Sequence, residues 1–127
     1  GYFSADFREH PMMYLMAEVF EAHDRSRFET IAFAYGGSPS DPYRKRAESA
    51  FERFIDVSTM SDETVVALAR REGIDIAVDL AGFTRFARPS LFASRIAAVQ
   101  VNYLGYPGTM GAGYMDYLVG DTTVVPH

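Results

Sequence analysis

The stretch that sets the architecture is Asp6-Phe7-Arg8-Glu9-His10-Pro11, which separates two segments with different hydrophobic patterns. Upstream, residues 1–4 read Gly-Tyr-Phe-Ser and are typical of the end of a β-strand. Downstream, apolar residues recur with helical spacing at Met12, Leu15, Met16, Val19 and Phe20. Proline is favoured at the first position of a helix, where its missing N–H costs nothing, so the sequence predicts a helix that starts at Pro11 with His10 at or near the N-cap.

His10 is a candidate functional residue because it follows a predicted strand and starts a predicted helix. In an open α/β sheet, ligands bind in the crevice outside the carboxyl ends of the strands. A helix N-terminus offers free N–H groups and a partial positive charge, which suit an anion such as a diphosphate. A histidine can also exchange a proton near neutral pH. The immediate neighbourhood of His10, taken alone, favours a simpler interpretation, a surface residue that caps the helix.

The composition is that of one ordinary globular domain, with 127 residues that are 48% hydrophobic and 23% charged. The formal net charge of -5 gives no indication of a nucleic acid or an anionic membrane as partner. The absence of cysteine excludes disulfides, thiolate metal sites and cysteine nucleophiles, and it fits a cytoplasmic location. The chain has no initiator methionine and opens inside a predicted strand, so we expect an excised fragment of a longer protein.

Strands and helices alternate along the rest of the chain. The sequence predicts strands over 28–35, 54–57, 74–80, 97–103 and 115–119, and helices over 43–53, 61–73 and 90–93. The clearest local signal is a helix capped by Ser61 that ends at Gly73 and passes directly into a strand. This alternation predicts an α/β fold, a Rossmann-like parallel sheet with helices on both faces.

Several charged or glycine residues allow both a functional and a structural interpretation. Gly36 and Gly37 follow a predicted strand and could approach a phosphate, but the Gly-x-Gly-x-x-Gly and P-loop patterns are absent. The basic run 44–46 is followed by glutamates, which favours a solvated helix face. His23 is interpreted as a solvated residue at a helix end.

Further candidates lie in the loop after the strand at 74–80. Asp79 is interpreted, by a slight preference, as a carboxylate that accepts hydrogen bonds from loop N–H groups. Arg85 and Arg88 could each bind an anion or only pair with a neighbouring acid. A second glycine-rich loop, 104–113, contains the type II turn signature Pro107-Gly108. The crevice rule then places His10 and these loops along one edge of the sheet.

Two of these motifs together resemble the catalytic region of the O-linked N-acetylglucosamine transferase / SPINDLY family. The motifs are Ser4-Ala5-Asp6-Phe7 followed by His10-Pro11, and Leu104-Gly105-Tyr106-Pro107-Gly108-Thr109 followed by Gly111 and Met115-Asp116-Tyr117. The segments between them that also match in order and spacing are Gly73-Ile74-Asp75-Ile76, Gly82-Phe83-Thr84, Ala87-Arg88 and Leu91-Phe92. The resemblance therefore covers nearly the whole chain.

The resemblance implies a GT-B architecture, in which two Rossmann-like lobes face each other across a cleft. Residues 1–127 would form the N-terminal, acceptor-side lobe, with a tetratricopeptide (TPR) array before it and a C-terminal lobe after it. The implied enzyme is inverting, needs no metal or other cofactor, and transfers N-acetylglucosamine from UDP-N-acetylglucosamine to serine or threonine hydroxyls of proteins. A single lobe without its partner is expected to be inactive.

The resemblance also implies which residues form the site. His10 matches the family's histidine in the cleft, which is either the general base or a group that positions the reactants. The implied substrate-binding residues are Pro11, Thr84, Gly105, Tyr106, Pro107, Gly108 and Thr109. No metal site is expected, because the three histidines lie far apart and the acidic residues are scattered.

The sequence departs from animal members of the family at two places. Met12-Met13-Tyr14 is more apolar than the corresponding animal segment, and Asp79-Leu80-Ala81 replaces Asn-Met-Asn, which suggests a bacterial-type member with its own acceptor preference. Two alternatives stay open, a SPINDLY-type protein O-fucosyltransferase that uses GDP-fucose, and a non-catalytic Rossmann-like binding module. A dinucleotide-dependent oxidoreductase is disfavoured because Gly-x-Gly-x-x-Gly is missing after the first strand.

Overall fold

The computed structural model describes residues 1–37, 40–81, 86–104 and 111–120. In these ranges, six strands alternate with four helices. In chain order they are β1 (Tyr2–Ser4), α1 (Pro11–Ala22), β2 (Ile31–Ala34), α2 (Pro42–Ala50), β3 (Arg53–Asp56), α3 (Asp62–Arg71), β4 (Ile76–Asp79), α4 (Pro89–Ala93), β5 (Val99–Tyr103) and β6 (Tyr117–Val119). None of the helices in the described ranges has the length and apolar character needed to cross a bilayer.

The strands form a single parallel sheet in the order β3-β2-β1-β4-β5-β6. This is the strand order of a doubly wound Rossmann sheet, and its direction of growth reverses between β1 and β4. The predicted α/β fold with a parallel sheet is therefore confirmed. The edge at which such sheets bind ligands is the one where β1 ends at Ser4 and β4 ends at Asp79.

Helices cover both faces of the sheet. Because successive side chains of a strand point to opposite faces, the strands contribute to two separate apolar clusters, one under each layer of helices. Phe3 and Phe33 belong to the cluster under α3 and α4, and their rings stack with centroids 4.5 Å apart. The other cluster includes Ala32 and Leu80 from the strands and Met13 from α1. The central strands are therefore apolar on both sides, as is typical of parallel sheets.

The ends of α3 follow the predicted pattern closely. The hydroxyl of Ser61 accepts the N–H of Thr64 at 3.2 Å and so caps the first turn. Gly73 has φ of +71°, and the N–H groups of Gly73 and Ile74 return to carbonyls in the last turn of the helix. This Schellman arrangement needs a left-handed residue, which glycine adopts without strain.

Several predicted boundaries are too wide. The strand predicted over 28–35 covers only Ile31–Ala34, and Phe28 is half exposed. The helix predicted over 43–53 ends at Ala50, because Phe51 takes an extended conformation and turns into the core. His23, predicted to be solvated, is the half-buried C-cap of α1, and its Nε2 lies 2.8 Å from the hydroxyl of Tyr2.

The predicted solvated face at residues 44–46 is wrong for Arg44, which is only 4% exposed. Its guanidinium donates to the carbonyl oxygen of Gly37 at 2.6 Å and to the carboxylate of Glu48 at 3.0 Å. It also lies over the ring of Phe54, 4.4 Å from the centroid. Arg44 shares the inner face of α2 with Ala47, and this helical spacing outweighs the charge pattern.

Arg44 and Arg46 form a matched pair for testing this packing. Replacing Arg44 with Met should lower the free energy of unfolding by about 3 kcal/mol, because the buried guanidinium and its bonds to Gly37 and Glu48 are lost. Replacing Arg46 with Met should lower it by less than about 1 kcal/mol, since Arg46 pairs with Glu21 on the exposed surface. Urea unfolding measures both values. Equal losses for the two variants would contradict a buried structural role for Arg44.

Candidate functional site

The carboxyl ends of β1, β2 and β4 meet at one edge of the sheet. The N–H of Tyr35 donates to the carbonyl of Ser4 at 3.1 Å, and the N–H of Leu80 donates to the carbonyl of Phe3 at 3.0 Å. The three strands therefore stay paired up to their last residues. The segment that leads to His10 departs from β1 at the position where the strand order reverses.

Residues 4–8 form a tight turn just after β1. The buried hydroxyl of Ser4 accepts the N–H of Asp6 at 2.9 Å, and the carbonyl of Asp6 accepts the N–H of Arg8 at 2.7 Å. Hydroxyl-to-backbone bonds of this kind commonly fix turns. The backbone of Asp6 is thus anchored to a central strand, and its side chain is only 14% exposed.

His10 is the N-cap of α1, as the sequence predicts, and Pro11 is the first, exposed helical residue. The backbone of His10 is extended, and its Nδ1 accepts the N–H of Met12 at 3.1 Å. The carbonyl of His10 accepts the next N–H, from Met13, at 2.9 Å. Since proline has no N–H, the first donors of α1 are already used, and this helix end does not present the free N–H groups that the sequence suggested for binding an anion.

The hydrogen bond to Nδ1 also defines the protonation pattern of the ring. Because Nδ1 accepts an N–H, it carries no proton, and the neutral imidazole of His10 has its proton on Nε2. Through Nε2–H, the half-exposed ring can donate a hydrogen bond to a ligand oxygen. Uptake of a further proton would occur at Nδ1 and would require the bond to Met12 to break first.

Asp6 lies between two basic side chains. Its Oδ1 accepts a hydrogen bond from the guanidinium of Arg8 at 3.1 Å. Its Oδ2 faces Nε2 of His10 at 3.7 Å, which is within ion-pair range but longer than a hydrogen bond. Contacts of this length often tighten when a ligand binds at an active site. The i, i+4 spacing of Asp6 and His10 is visible in the sequence, but it indicates this contact only once the turn is known.

Two further polar groups lie under this edge of the sheet. Asp79 is 2% exposed and its Oδ1 accepts the N–H of Ala81 at 2.9 Å, in agreement with its interpretation as a loop-stabilising carboxylate. Tyr35, which follows β2, was not predicted to be a site residue. Its hydroxyl is buried and has no hydrogen-bond partner in the described part of the chain. Burial, and then the charge of Asp79, raise the pKa of Tyr35 well above its usual value, so it remains a protonated donor.

Arg88 pairs with a neighbouring acid, which is the second of its two predicted roles. Its Nε donates to the carboxylate of Asp62 at 2.8 Å, and its Nη2 donates to the carbonyl of Met60 at 2.9 Å. The Ser90 hydroxyl and then Arg88 hold the pKa of Asp62 below its ordinary 3.8. This pairing therefore stabilises the fold above about pH 4, and the contribution is lost as the pH falls through the lowered value.

Gly36 has a packing role rather than a ligand role in this structure. A Cβ atom built on Gly36 would lie 1.8 Å from the carbonyl oxygen of Ala5, so a side chain cannot be accommodated there. Gly37 has a positive φ of +89°, but a Cβ on it would meet nothing within 4 Å. Only a glycine lets the end of β2 approach the segment that leaves β1.

Many of the predicted site residues lie outside the described part of the chain. They are Thr84, Gly105, Tyr106, Pro107, Gly108 and Thr109, together with Gly82 and Arg85. The described residues next to them show where both loops begin. Ala81 follows β4 and Leu104 follows β5, and these two strands pair with Asp79 opposite Asn102. Both loops therefore leave the same edge of the sheet as the His10 segment.

A cavity of about 370 Å³ lies beside β5 and β6 and is lined by Asn102 and Asp116 among others. A groove of about 420 Å³ lies at the opposite, amino end of the sheet, next to Tyr2 and Ile76. Among the described residues, no group of three or more His, Cys, Asp or Glu could hold a metal ion.

Comparison with known sequences gives a consistent result. The sequence model of glycosyl transferase family 41 matches residues 1–127. The chain is 41% identical over 126 residues to a probable UDP-N-acetylglucosamine–peptide N-acetylglucosaminyltransferase named SEC from Arabidopsis thaliana. It is 37% identical over 127 residues to a UDP-N-acetylglucosamine–peptide N-acetylglucosaminyltransferase from Caenorhabditis elegans, and 29% identical over 129 residues to the Arabidopsis protein SPINDLY.

These alignments cover 99% of this chain but only 13%, 11% and 14% of the three relatives. The chain therefore spans about an eighth of their length. Among solved structures, a mutant of the O-GlcNAc transferase from Thermobaculum terrenum superposes with a TM-score of 0.91 and 40% sequence identity. That match covers 95% of this chain and 23% of the solved chain.

The close approach at Gly36 can be tested against its neighbour. Gly36→Ala should lower the free energy of unfolding by about 3 kcal/mol or more, because the new methyl group overlaps the carbonyl of Ala5. Gly37→Ala meets open space, and its positive φ should cost only about 1 kcal/mol. Urea titrations of both variants give the comparison. If Gly36→Ala were the milder change, the close approach of the two segments would be refuted.

Proposed function

The chain belongs to glycosyl transferase family 41, and we propose that it is the N-terminal, acceptor-side Rossmann-like lobe of an inverting protein glycosyltransferase. The proposed reaction moves N-acetylglucosamine from UDP-N-acetylglucosamine to serine or threonine hydroxyls of proteins. The observation that carries the proposal is the position of His10, which caps α1 directly beyond the reversal of strand order. The names of the two relatives with the higher identities support this donor and this class of acceptor.

A second lobe is part of the proposal, because this chain matches only part of its structural relative. His10 and Pro11 lie where α1 begins, just beyond the carboxyl end of β1, and both side chains are at least partly exposed. The solved structure that superposes on this chain is about four times longer. We therefore place a C-terminal lobe opposite this edge, with most of the contacts to the nucleotide-sugar, and a TPR array before the lobe. An isolated lobe of this kind is expected to be inactive.

The reaction sets two requirements at this edge. The acceptor hydroxyl must lose its proton as the new glycosidic bond forms, and the departing diphosphate must be stabilised as it gains charge. His10 can meet the second kind of requirement only when Nε2–H turns from the carboxylate of Asp6 to the diphosphate. It can meet the first only after its bond to the N–H of Met12 breaks. We propose that His10 acts at the reacting centre in one of these two ways.

The remaining substrate contacts are proposed from the matched motifs. Thr84 and residues 105–109 follow β4 and β5 in the sequence, and both strands end at the same edge of the sheet as β1. A protein acceptor and a nucleotide-sugar are the proposed partners, without nucleic acid and without a membrane. No metal ion is proposed, and a cytoplasmic location is proposed because it fits the absence of cysteine from the sequence.

A SPINDLY-type protein O-fucosyltransferase is the alternative for the donor. The identity to the SPINDLY relative is 29%, against 41% and 37% for the two peptide N-acetylglucosaminyltransferases, so UDP-N-acetylglucosamine is the favoured donor. A non-catalytic binding module, with His10 as a helix cap only, is the other alternative.

The full-length protein should transfer N-acetylglucosamine, and not fucose, when it is offered both nucleotide-sugars with a mixture of candidate acceptor proteins. Intact-protein mass spectrometry identifies the added sugar. The transfer should continue in EDTA, because no metal is assigned to the reaction. Fucose transfer would establish the SPINDLY-type alternative, and activity lost in EDTA and restored by Mn²⁺ would contradict the metal-independent mechanism.

His10→Asn separates capping from chemistry. Asparagine is a good N-cap, so the free energy of unfolding should change by less than about 1 kcal/mol. It lacks the imidazole, so kcat of the full-length enzyme should fall by roughly a hundred- to ten-thousand-fold. His23→Asn, at the other end of α1, serves as the control and should retain near-normal kcat. If His10→Asn kept near-normal turnover at saturating donor and acceptor, His10 would be only a cap, and Asp79 would be the next residue to test.

A further inference from the structure

We propose that Asp6 is a positioning residue, whose carboxylate keeps the proton of the neutral His10 ring on Nε2, so that Nδ1, once released by the Met12 amide, is the nitrogen that accepts the proton of the acceptor hydroxyl. The inference rests on the proposed function, because it presupposes that His10 acts at the reacting centre. Asp6 is not assigned a contact with substrate. Its role is exerted through His10.

The ring of His10 has contacts on two sides. Nδ1 accepts the N–H of Met12 at 3.1 Å, and Nε2 faces Oδ2 of Asp6 at 3.7 Å. Rotating the ring by half a turn would place carbon atoms at both positions and lose both interactions. Both contacts therefore require the same ring orientation, and a ring turned by half a turn would satisfy neither.

The donors and acceptors around the ring are consistent with one another. The bond from Met12 requires an unprotonated Nδ1, which leaves the proton on Nε2 in the neutral ring. A carboxylate is an acceptor, so the group that faces Nε2–H has the correct polarity. Second groups that hold a histidine through its other ring nitrogen are a recurrent way to fix its tautomer and orientation.

Asp6 is itself held by the sheet. Its N–H is bound by the fully buried Ser4, which lies on β1 in the middle of the sheet. Its side chain is 14% exposed, whereas those of Arg8 and His10 are 40% and 34% exposed. The carboxylate is the inner and least exposed member of this cluster, and its backbone is bonded to the sheet. Asp6 is therefore the member that can orient the more exposed ring of His10.

A purely structural role for Asp6 makes a different prediction. Asp6 also accepts a hydrogen bond from Arg8, and this pair alone could stabilise the turn after β1. If that were its whole purpose, the loss of Asp6 would affect stability and kcat independently of His10. If Asp6 acts through His10, the two substitutions must be coupled, because the carboxylate has nothing left to orient once the imidazole is gone.

The test is a double-mutant cycle on the full-length enzyme with Asp6→Asn, His10→Asn and the combined variant. Asp6→Asn alone should lower kcat about ten-fold with little change in KM. In the His10→Asn background, the same substitution should lower kcat by less than about two-fold. Arg8→Ala is the matched control, because it breaks the other contact of Asp6 and leaves His10 facing the carboxylate. It should keep kcat within about two-fold of the unmodified enzyme.

A second variant tests whether a general loss of structure could account for the loss of activity. Asp6→Glu keeps the charge and can still reach Arg8, but it moves the carboxylate relative to the ring. It should leave the melting temperature close to that of the unmodified enzyme and still lower kcat several-fold. Circular dichroism and thermal unfolding of each variant supply the comparison.

Each outcome decides the question. If the fold-reductions in kcat caused by Asp6→Asn and His10→Asn multiplied in the combined variant, the positioning role would be overturned. His10 would still act at the reacting centre. An Arg8→Ala variant as impaired as Asp6→Asn would overturn it too, because the turn and not the ring would then be responsible. If His10→Asn alone had no effect on kcat, the proposed site would fail, and the role of Asp6 would fail with it.

Discussion

The hydrogen bonding of β1 to a strand on each side is the constraint on which the rest of the structure depends. The strand has three residues, yet it pairs with both β2 and β4 and is covered by helices on both faces. A segment this short has little intrinsic stability and is held by its neighbours, chiefly through the stacked rings of Phe3 and Phe33. Because the strand order reverses beside β1, the segment that leaves it carries the candidate site, and Ser4 ties that segment to the sheet.

The fold was largely predictable because local signals and the global pattern agree. The Ser61 cap, the Gly73 terminator and the apolar strand that follows them each indicate one structure, and the same holds for Pro11 at the start of α1. Boundaries were less predictable, because tertiary packing decides where a segment stops. Phe51 leaves the helix pattern to enter the core, and no feature of its neighbours in the sequence shows this.

The candidate site was predictable in position but not in chemistry. A proline after a strand identified His10 as an N-cap, but which ring nitrogen caps the helix depends on a side-chain orientation that the sequence does not encode locally. Arg44 was misjudged because charge patterning was considered without the helical face on which the residue falls. Tyr35 was missed because its buried hydroxyl has no local signature. A strand that ends in a tyrosine at the ligand-binding edge was the only available signal.

The bond between the Met12 amide and Nδ1 of His10 also makes one backbone proton a natural reporter of the ring. That amide is buried in the first turn of α1, and its exchange with solvent deuterium requires the imidazole to move aside. The fraction of time that the ring spends away from the helix is therefore recorded in the protection factor of a single amide. A movement of the ring that is too rare to observe directly would still lower the protection factor of the Met12 amide, measured on the timescale of isotope exchange.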